Sequence, residues 1–439
     1  MPDLRFATGT TGVGLSTLTG PLGRVLYVWT APWGMVAAWG GGYSWHYFAQ
    51  GADLLSDPGN QGGGLHVYAA HPDLQIGPLA LLVAMPFQAL GPQWGRLSAE
   101  VVLTLLGPVL LAVLAVARQA LTGRRPTPAL LICTGLLTLP IWCEVATHFA
   151  HLDDALAIAF TCVAALAVTV RRPWLAALAV GAAIDSKPWT LGFAVMLLAL
   201  PSRQRWRSLA IVAACVGIGW APFVIADPLT LAAGRFSIPN VADSALRALG
   251  VNAASTPAWD RPAQLALGVV VALVCVNAGR WAAVPLAVVA ARLLLDPETY
   301  PYYSSGLLMC AAILDLLSPG RRMPVWTAAA AAWFLADRAG AAFLQPHQLG
   351  VLRALFCGAV LTTLSVQGYA RDGPSRLAPS RITPRFELML ATFRPPAPPP
   401  AWCATMDFVR QHQPQEGVES VHDHARTRCP AQPSRSRCH

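Results

Sequence analysis

Residues 97–118 read LSAEVVLTLLGPVLLAVLAVAR, residues 119–127 read QALTGRRPT, and residues 128–147 read PALLICTGLLTLPIWCEVAT. Each outer segment is an apolar run of the roughly 20 residues that a helix needs to cross a bilayer. The connection between them is short and basic, carrying Arg124 and Arg125 just beyond Arg118. Two long apolar runs joined by an arginine-bearing turn describe a helical hairpin in a membrane, with the turn on the cytoplasmic side. This pattern, repeated along the chain, decides the fold class: all-α, a polytopic transmembrane helical bundle.

Outward from this hairpin, further apolar runs lie near 24–41, 153–170, 173–186, 188–201, 208–226, 263–280, 282–295, 304–317, 323–340 and 349–368. Arg171 with Arg172, the group Arg203, Arg205 and Arg207, and Arg321 with Arg322 mark further cytoplasmic turns. The alternate connections carry acids (Asp153, Asp154, Asp185, Asp227, Asp296, Glu298) and are expected outside. One run breaks this parity. Residues 78–90, PLALLVAMPFQAL, are too short for a span and hold Pro78 and Pro86, so they read as an interfacial or re-entrant helix. That places 42–96 outside as one large first loop and gives about 12 spans with both termini cytoplasmic. A thirteenth follows only if 78–90 crosses.

Composition agrees. Of 439 residues, 55% are hydrophobic and 12% charged, against about 25% charged in soluble globular proteins. An ordinary soluble enzyme, a disordered chain and a disulfide framework are excluded, and the net charge of +9 reports loop arginines, not nucleic-acid binding. Seven of the ten cysteines sit in apolar runs and none forms a C-x-x-C pair. The expected organisation is a cytoplasmic segment 1–23 leading into an uncleaved signal anchor, a transmembrane domain 24–369, and a Pro- and Arg-rich tail 370–439 of disordered composition. The tail's His422, His424, Cys429, Cys438 and His439 follow no regular metal spacing.

Four stretches hold chemistry. The first loop contains His46, Asp53, His71 and Asp73, carboxylates and imidazoles suited to general-base work. Asp73 stands close before the short apolar helix, where a helix cap is the plain alternative. The second is His148-Phe-Ala-His151-Leu-Asp153-Asp154, where His151, Asp153 and Asp154 would take a divalent cation. Capping of the next span is the alternative there. No other cofactor is implied.

The third is Lys187, the one lysine of a chain with 31 Lys and Arg. Against the arginine bias of a GC-rich genome it suggests a need for a compact ammonium that holds phosphate, or else a plain ion pair with Asp185. The fourth is Arg292 within an apolar run, four residues before Asp296, followed by Tyr300, Tyr302 and Tyr303. An intramembrane arginine is functional or paired. The tyrosines stack on a sugar or form an interfacial belt.

The order of these features resembles the GT-C superfamily of membrane glycosyltransferases, and within it actinobacterial polyprenyl-phosphate-dependent mannosyltransferase-like proteins. The resemblance covers about 42–310. It is carried by Ala49-Gln-Gly-Ala-Asp53-Leu-Leu in a large first loop, Val67-Tyr68 with Pro78-Leu-Ala-Leu-Leu, His151-Leu-Asp-Asp154-Ala-Leu-Ala, Gly181-Ala-Ala-Ile-Asp-Ser-Lys187-Pro-Trp189 and Asp296-Pro-Glu-Thr-Tyr-Pro-Tyr-Tyr303.

The resemblance implies an inverting transferase of the plasma membrane. It would move a sugar, mannose in the nearest subfamily, from a polyprenyl-phosphate donor to a hydroxyl of a lipid or glycan acceptor at the outer face. Membrane lipids are its surroundings and nucleic acid is no partner. The family places a catalytic Asp soon after the first span, whereas Gly42-Tyr43-Ser44-Trp45-His46-Tyr47 has no carboxylate there. The base then falls to Asp73, Asp53 or His46, with Lys187, Asp185, Arg292, Tyr302, Tyr303 and His71 as substrate contacts. Two other classes share these features: a transporter or lipid flippase, and a catalytically inactive scaffold of the same fold. The long first loop and the lack of an internal repeat weigh against the transporter.

Overall fold

A computed structural model describes residues 20–369, apart from 60, 61, 235, 299 and 301. Most of the N-terminal segment and the whole C-terminal tail lie outside the described residues. Those described are helical, with no strand among them; the nearest to one is an isolated antiparallel bridge between Pro239 and Ser255.

Proline sets many of the helix starts. It occupies the first turn of α1 (Pro21–Ala38), where its missing N–H costs nothing and its fixed φ suits the helix. Helix α2 (Trp45–Ser56) and the single turn α3 (Val67–Ala70) follow in the first loop. Next come α4 (Pro78–Gln88), α5 (Pro92–Thr122) and α6 (Pro128–Cys143). The arginine-bearing turn quoted above is closed by Gly123, whose φ of 72° is a left-handed helix stop. It is reopened by Thr127, whose hydroxyl accepts from Leu130 N at 3.2 Å. Helices α7 (Leu152–Thr169) and α8 (Pro173–Ser186) pack on each other. A 3₁₀ segment, Pro188–Ala199, leads to α9 (Ser202–Ala226), the short α10 (Thr230–Ala233) and α11 (Ala245–Ala248), and α12 (Asp260–Asn277). The series ends with α13 (Val284–Leu295), α14 (Tyr303–Leu317), α15 (Val325–Phe343) and α16 (Pro346–Tyr369).

Six of the described helices are long and apolar enough to cross a membrane: α5, α6 with its extension to His148, α7, α9, α12 and α16. The shorter apolar helices include α4, α8, Pro188–Ala199 and α14. The 3₁₀ winding of Pro188–Ala199 was not expected. At roughly 2 Å rise per residue it spans about 24 Å, where an α-helix of that length would reach about 18 Å. It can wind tightly because Gly192 lets it close on α13: a Cβ there would stand 2.8 Å from a Val288 methyl. Helix α4 at 11 residues is about 16 Å long, short of a 30 Å hydrocarbon core. It packs between α2 and α5.

Contacts sort the helix ends into two sets. In one, Gly42 N bonds Thr147 O and His148 O, Gly77 N bonds Ser186 O, and Val241 N bonds Pro297 O. Arg353 joins Asp337 and Asp243 in the same set. The other set joins Pro173 O to Ser208 Oγ, Arg280 to Leu364 O, and Arg118 to the end of α14. The connections that carry Arg124, Arg125, Arg171, Arg172, Arg321 and Arg322 belong to this second set, and the Asp-rich connections belong to the first. Arg118 is buried at this end, and its guanidinium donates to Leu316 O (2.8 Å), Ser318 O (3.1 Å) and Arg321 O (2.9 Å). It thereby satisfies carbonyls that the end of α14 leaves free.

Candidate functional site

The site begins with a fault in a helix. After Cys143 the chain of α6 widens into a π turn, Glu144–His148, and ends with Phe149 N bonded to Glu144 O. Such turns gather at functional positions. Ala150 then takes φ 47° while fully buried, a left-handed conformation that costs a non-glycine residue about 1–3 kcal/mol. The consequence is positional. His151 caps α7 and its ring is turned inward toward the first-turn acids.

The second contribution comes from the opposite chain direction. Pro188 disfavours helical backbone at the residue before it, and Lys187 is extended (φ −145°, ψ 100°). Its ammonium therefore leaves α8 and crosses to α7. Lys187 Nζ donates to Asp153 Oδ2 at 2.6 Å and lies 3.4 Å from Asp154 Oδ2. His151 Nδ1 donates to Asp153 Oδ1 at 2.5 Å, since a carboxylate only accepts, and lies 3.3 Å from Asp154 Oδ2. Asp154 N also donates to Asp153 Oδ1. All four residues are buried, Asp153 completely. Asp153 is thus saturated, whereas Asp154 Oδ2 has no hydrogen-bond partner. The alternative reading of Lys187, a plain pair with Asp185, does not hold: the two side chains diverge at the end of α8. The Asp185 carboxylate lies instead against Gly219 of α9, with its Oδ1 unpartnered.

Aromatic rings enclose the cluster. Tyr302 lies 4.1 Å from the His151 ring centre, and Phe48 meets it edge-on at 5.8 Å. Burial holds the Tyr302 phenol well above its ordinary pKa, so it stays a proton donor. Arg292 lies between Trp189 (4.6 Å) and Tyr303 (4.3 Å), and its Nε donates to Asp296 Oδ2 at 3.2 Å. The Asp154 charge reaches it through space. Burial raises the Asp296 carboxyl, and Arg292 offsets part of that shift.

Next to Arg292 stand residues that the sequence reading passed over. Arg261 Nη2 donates to Gln75 Oε1 and Phe236 O, both at 3.1 Å. Asp260 is fully buried and accepts from Gln264 at 2.8 Å. An Asp-Arg pair opening an apolar run after a polar loop looks like an ordinary helix start, and only the fold shows that it turns inward.

The remaining candidates lie elsewhere. His46 and Asp53 line a cleft of about 770 Å³ between α2, the end of α4 and the start of α5. Asp53 accepts from Gln88 Nε2 at 3.1 Å. Phe48, on the other face of α2, touches His151, so the cleft and the buried cluster are on opposite sides of that helix. His71 lies beside Gly62. Asp73 is exposed and caps nothing, for the residue before α4 is Gly77. Its segment is nevertheless docked on the end of α8: Gly77 N donates to Ser186 O at 3.1 Å, and a Cβ on Gly77 would stand 2.0 Å from Asp185 O.

His151, Asp153 and Asp154 offer three ligand atoms within 4.8 Å of one another, a donor set suited to a small divalent cation. The Lys187 ammonium already supplies positive charge at Asp153, so a cation would compete with it. Comparison with protein families, with curated proteins and with solved structures finds no match to the chain.

Proposed function

We propose that the chain is a multi-pass plasma-membrane glycosyltransferase of GT-C-like arrangement, with about 12 spans when the shorter apolar helices are counted. It would transfer a sugar, mannose by resemblance, from a polyprenyl phosphate to an acceptor hydroxyl on the outer side. The observation that carries this reading is the buried His151–Asp153–Asp154–Lys187 cluster, flanked by Arg292, at the acid-rich end of the helices. A carboxylate whose Oδ2 makes no hydrogen bond, with two cations beside it, is what inverting transfer from a lipid phosphate requires.

Asp154 takes the proton of the acceptor hydroxyl. The oxygen attacks the anomeric carbon and the bond from that carbon to the phosphate oxygen breaks. Polyprenyl phosphate leaves with the electron pair, stabilised by Lys187 and Arg292. Asp153, held by His151 and Lys187, is a positioning residue. The exposed Asp73, on the segment docked at Ser186, is the alternative base.

The transporter reading draws on Asp185, an inward carboxylate with an unpartnered oxygen. It is weaker because the charges buried at the other end are engaged in local structure: Arg118 caps α14, and Asp315 accepts from Thr327 at the start of α15.

The test is transfer from radiolabelled polyprenyl-phosphate sugars by the full chain in lipid nanodiscs. Asp154→Asn should lower turnover by about 10²-fold or more, the scale of general-base loss. Lys187→Ala should raise the KM for the donor. Absence of transfer from every polyprenyl-phosphate sugar supplied would overturn the reading.

A further inference from the structure

The cleft on the solvent side of α2 has no part in the chemistry above, yet it is built. Its volume of about 770 Å³ falls within the roughly 300–1,000 Å³ typical of small-molecule sites. Its lining is mostly apolar, with His46, Gln50, Asp53 and Asp57 from α2 and its end, Gln88 from α4 and Arg96 from α5 as its polar side chains. Two buried polar atoms of the lining residues are unpartnered, the Trp45 indole N–H and the Gln88 amide oxygen. Gly42 closes one end. Its φ is 83°, and a Cβ there would strike Arg96 Cδ at 2.4 Å and Glu100 Oε1 at 2.9 Å.

Charge narrows the ligand. Arg96 already donates to Gly41 O at 2.9 Å and lies 3.6 Å from the buried Glu100. Its charge is spent, while Asp53 and Asp57 are carboxylates. A phosphate or uronate would meet net negative charge here. A neutral polyol would not: its hydroxyls donate to Asp53 and Asp57 and accept from the Gln50 amide. Gln88 Nε2, bonded to both Asp53 oxygens, holds that carboxylate in place.

Position links the cleft to the buried cluster. Gly42, in its wall, donates to His148 O at 2.8 Å, within the π turn that leads to His151. We infer that this cleft binds a neutral oligosaccharide, with Asp53 and Gln50 as its hydrogen-bonding residues and Gln88 holding the Asp53 carboxylate. The inference does not rest on the transferase reading.

The experiment is saturation-transfer NMR on the full chain in lipid nanodiscs, which avoid sugar-bearing detergents. The probes are mannobiose and cellobiose, with glucuronate as the anionic control. Neutral disaccharides should show transfer and glucuronate none. Asp53→Ala and Gln88→Ala should each weaken binding by about fivefold or more, the loss of one hydrogen bond. An unchanged thermal transition would show that both variants fold. No transfer from either disaccharide, equal transfer in the variants, or preference for glucuronate would overturn the inference. Saccharide binding without any sugar transfer would defeat the transferase reading and leave the site standing.

Discussion

Lys187 Nζ and Asp153 Oδ2 lie 2.6 Å apart although 34 residues separate them in sequence, and both are buried. The pair ties the broken end of α8 to the first turn of α7. Removing one partner of a buried ion pair strands a charge and costs about 3–5 kcal/mol. Lys187→Met should therefore destabilise the protein strongly, while the double variant with Asp153→Asn should recover most of the loss. Thermal unfolding of the purified chain in nanodiscs checks this. Equal loss in the single and double variants would show that the pair is not the source of the stability.

The same pair governs cations. With the Lys187 ammonium in place, a divalent ion must compete for Asp153, so chelators should leave the wild-type protein's thermal transition unchanged. Lys187→Ala opens the His151–Asp153–Asp154 group, and its thermal transition should rise on adding Mn²⁺ or Zn²⁺. A chelator-sensitive wild type would assign the cluster to a resident metal instead.

Gly77 stands where no larger residue fits, since its Cβ would lie 2.0 Å from Asp185 O. Gly77→Ala should push the segment that bears Asp73 off the end of α8, at a cost of about 1–3 kcal/mol for overpacking. Faster labelling of a cysteine placed at Leu74, which is buried in the native fold, reads the displacement. A labelling rate equal to that of the unsubstituted Gly77 background would mean that the docking is not tight.

Much of the architecture was legible because hydrophobic length and arginine placement are one-dimensional signals. The short proline-bound α4, the hairpin around Arg124 and the break at Lys187-Pro188 all announce themselves locally. The partner of Lys187 did not. Asp185 is two residues away, and only the extended backbone imposed by Pro188 turns the ammonium from it toward α7. The π turn after Cys143 and the 3₁₀ winding after Pro188 were equally invisible, because they depend on what packs against them, as Val288 does against Gly192. Asp260, Arg261 and Arg118 looked like helix-end polar residues, and their burial is a property of the assembled bundle.

The last prediction concerns sidedness. The contacts put Asp73 and Asp296 among one set of helix ends, through Gly77 with Ser186 and through Val241 with Pro297. They put Arg124 and Arg321 in the other, through Arg118 with the end of α14. Helix α5 is the 31-residue connection between the two sets, long enough at 1.5 Å per residue to cross the hydrocarbon core with turns to spare. If α4 crossed as well, the sequence separation of the two sets would change parity, but its 11 residues cannot reach. Single cysteines at the exposed positions 73 and 300, the latter shortly after Pro297, in a background without native cysteines should therefore react with a membrane-impermeant maleimide on intact cells. Cysteines at 124 and 321 should react only after permeabilisation, as expected for basic connections held on the cytoplasmic side. Labelling of 73 and 124 from the same side would overturn both the two-ended arrangement and the placing of the buried cluster at the outer face.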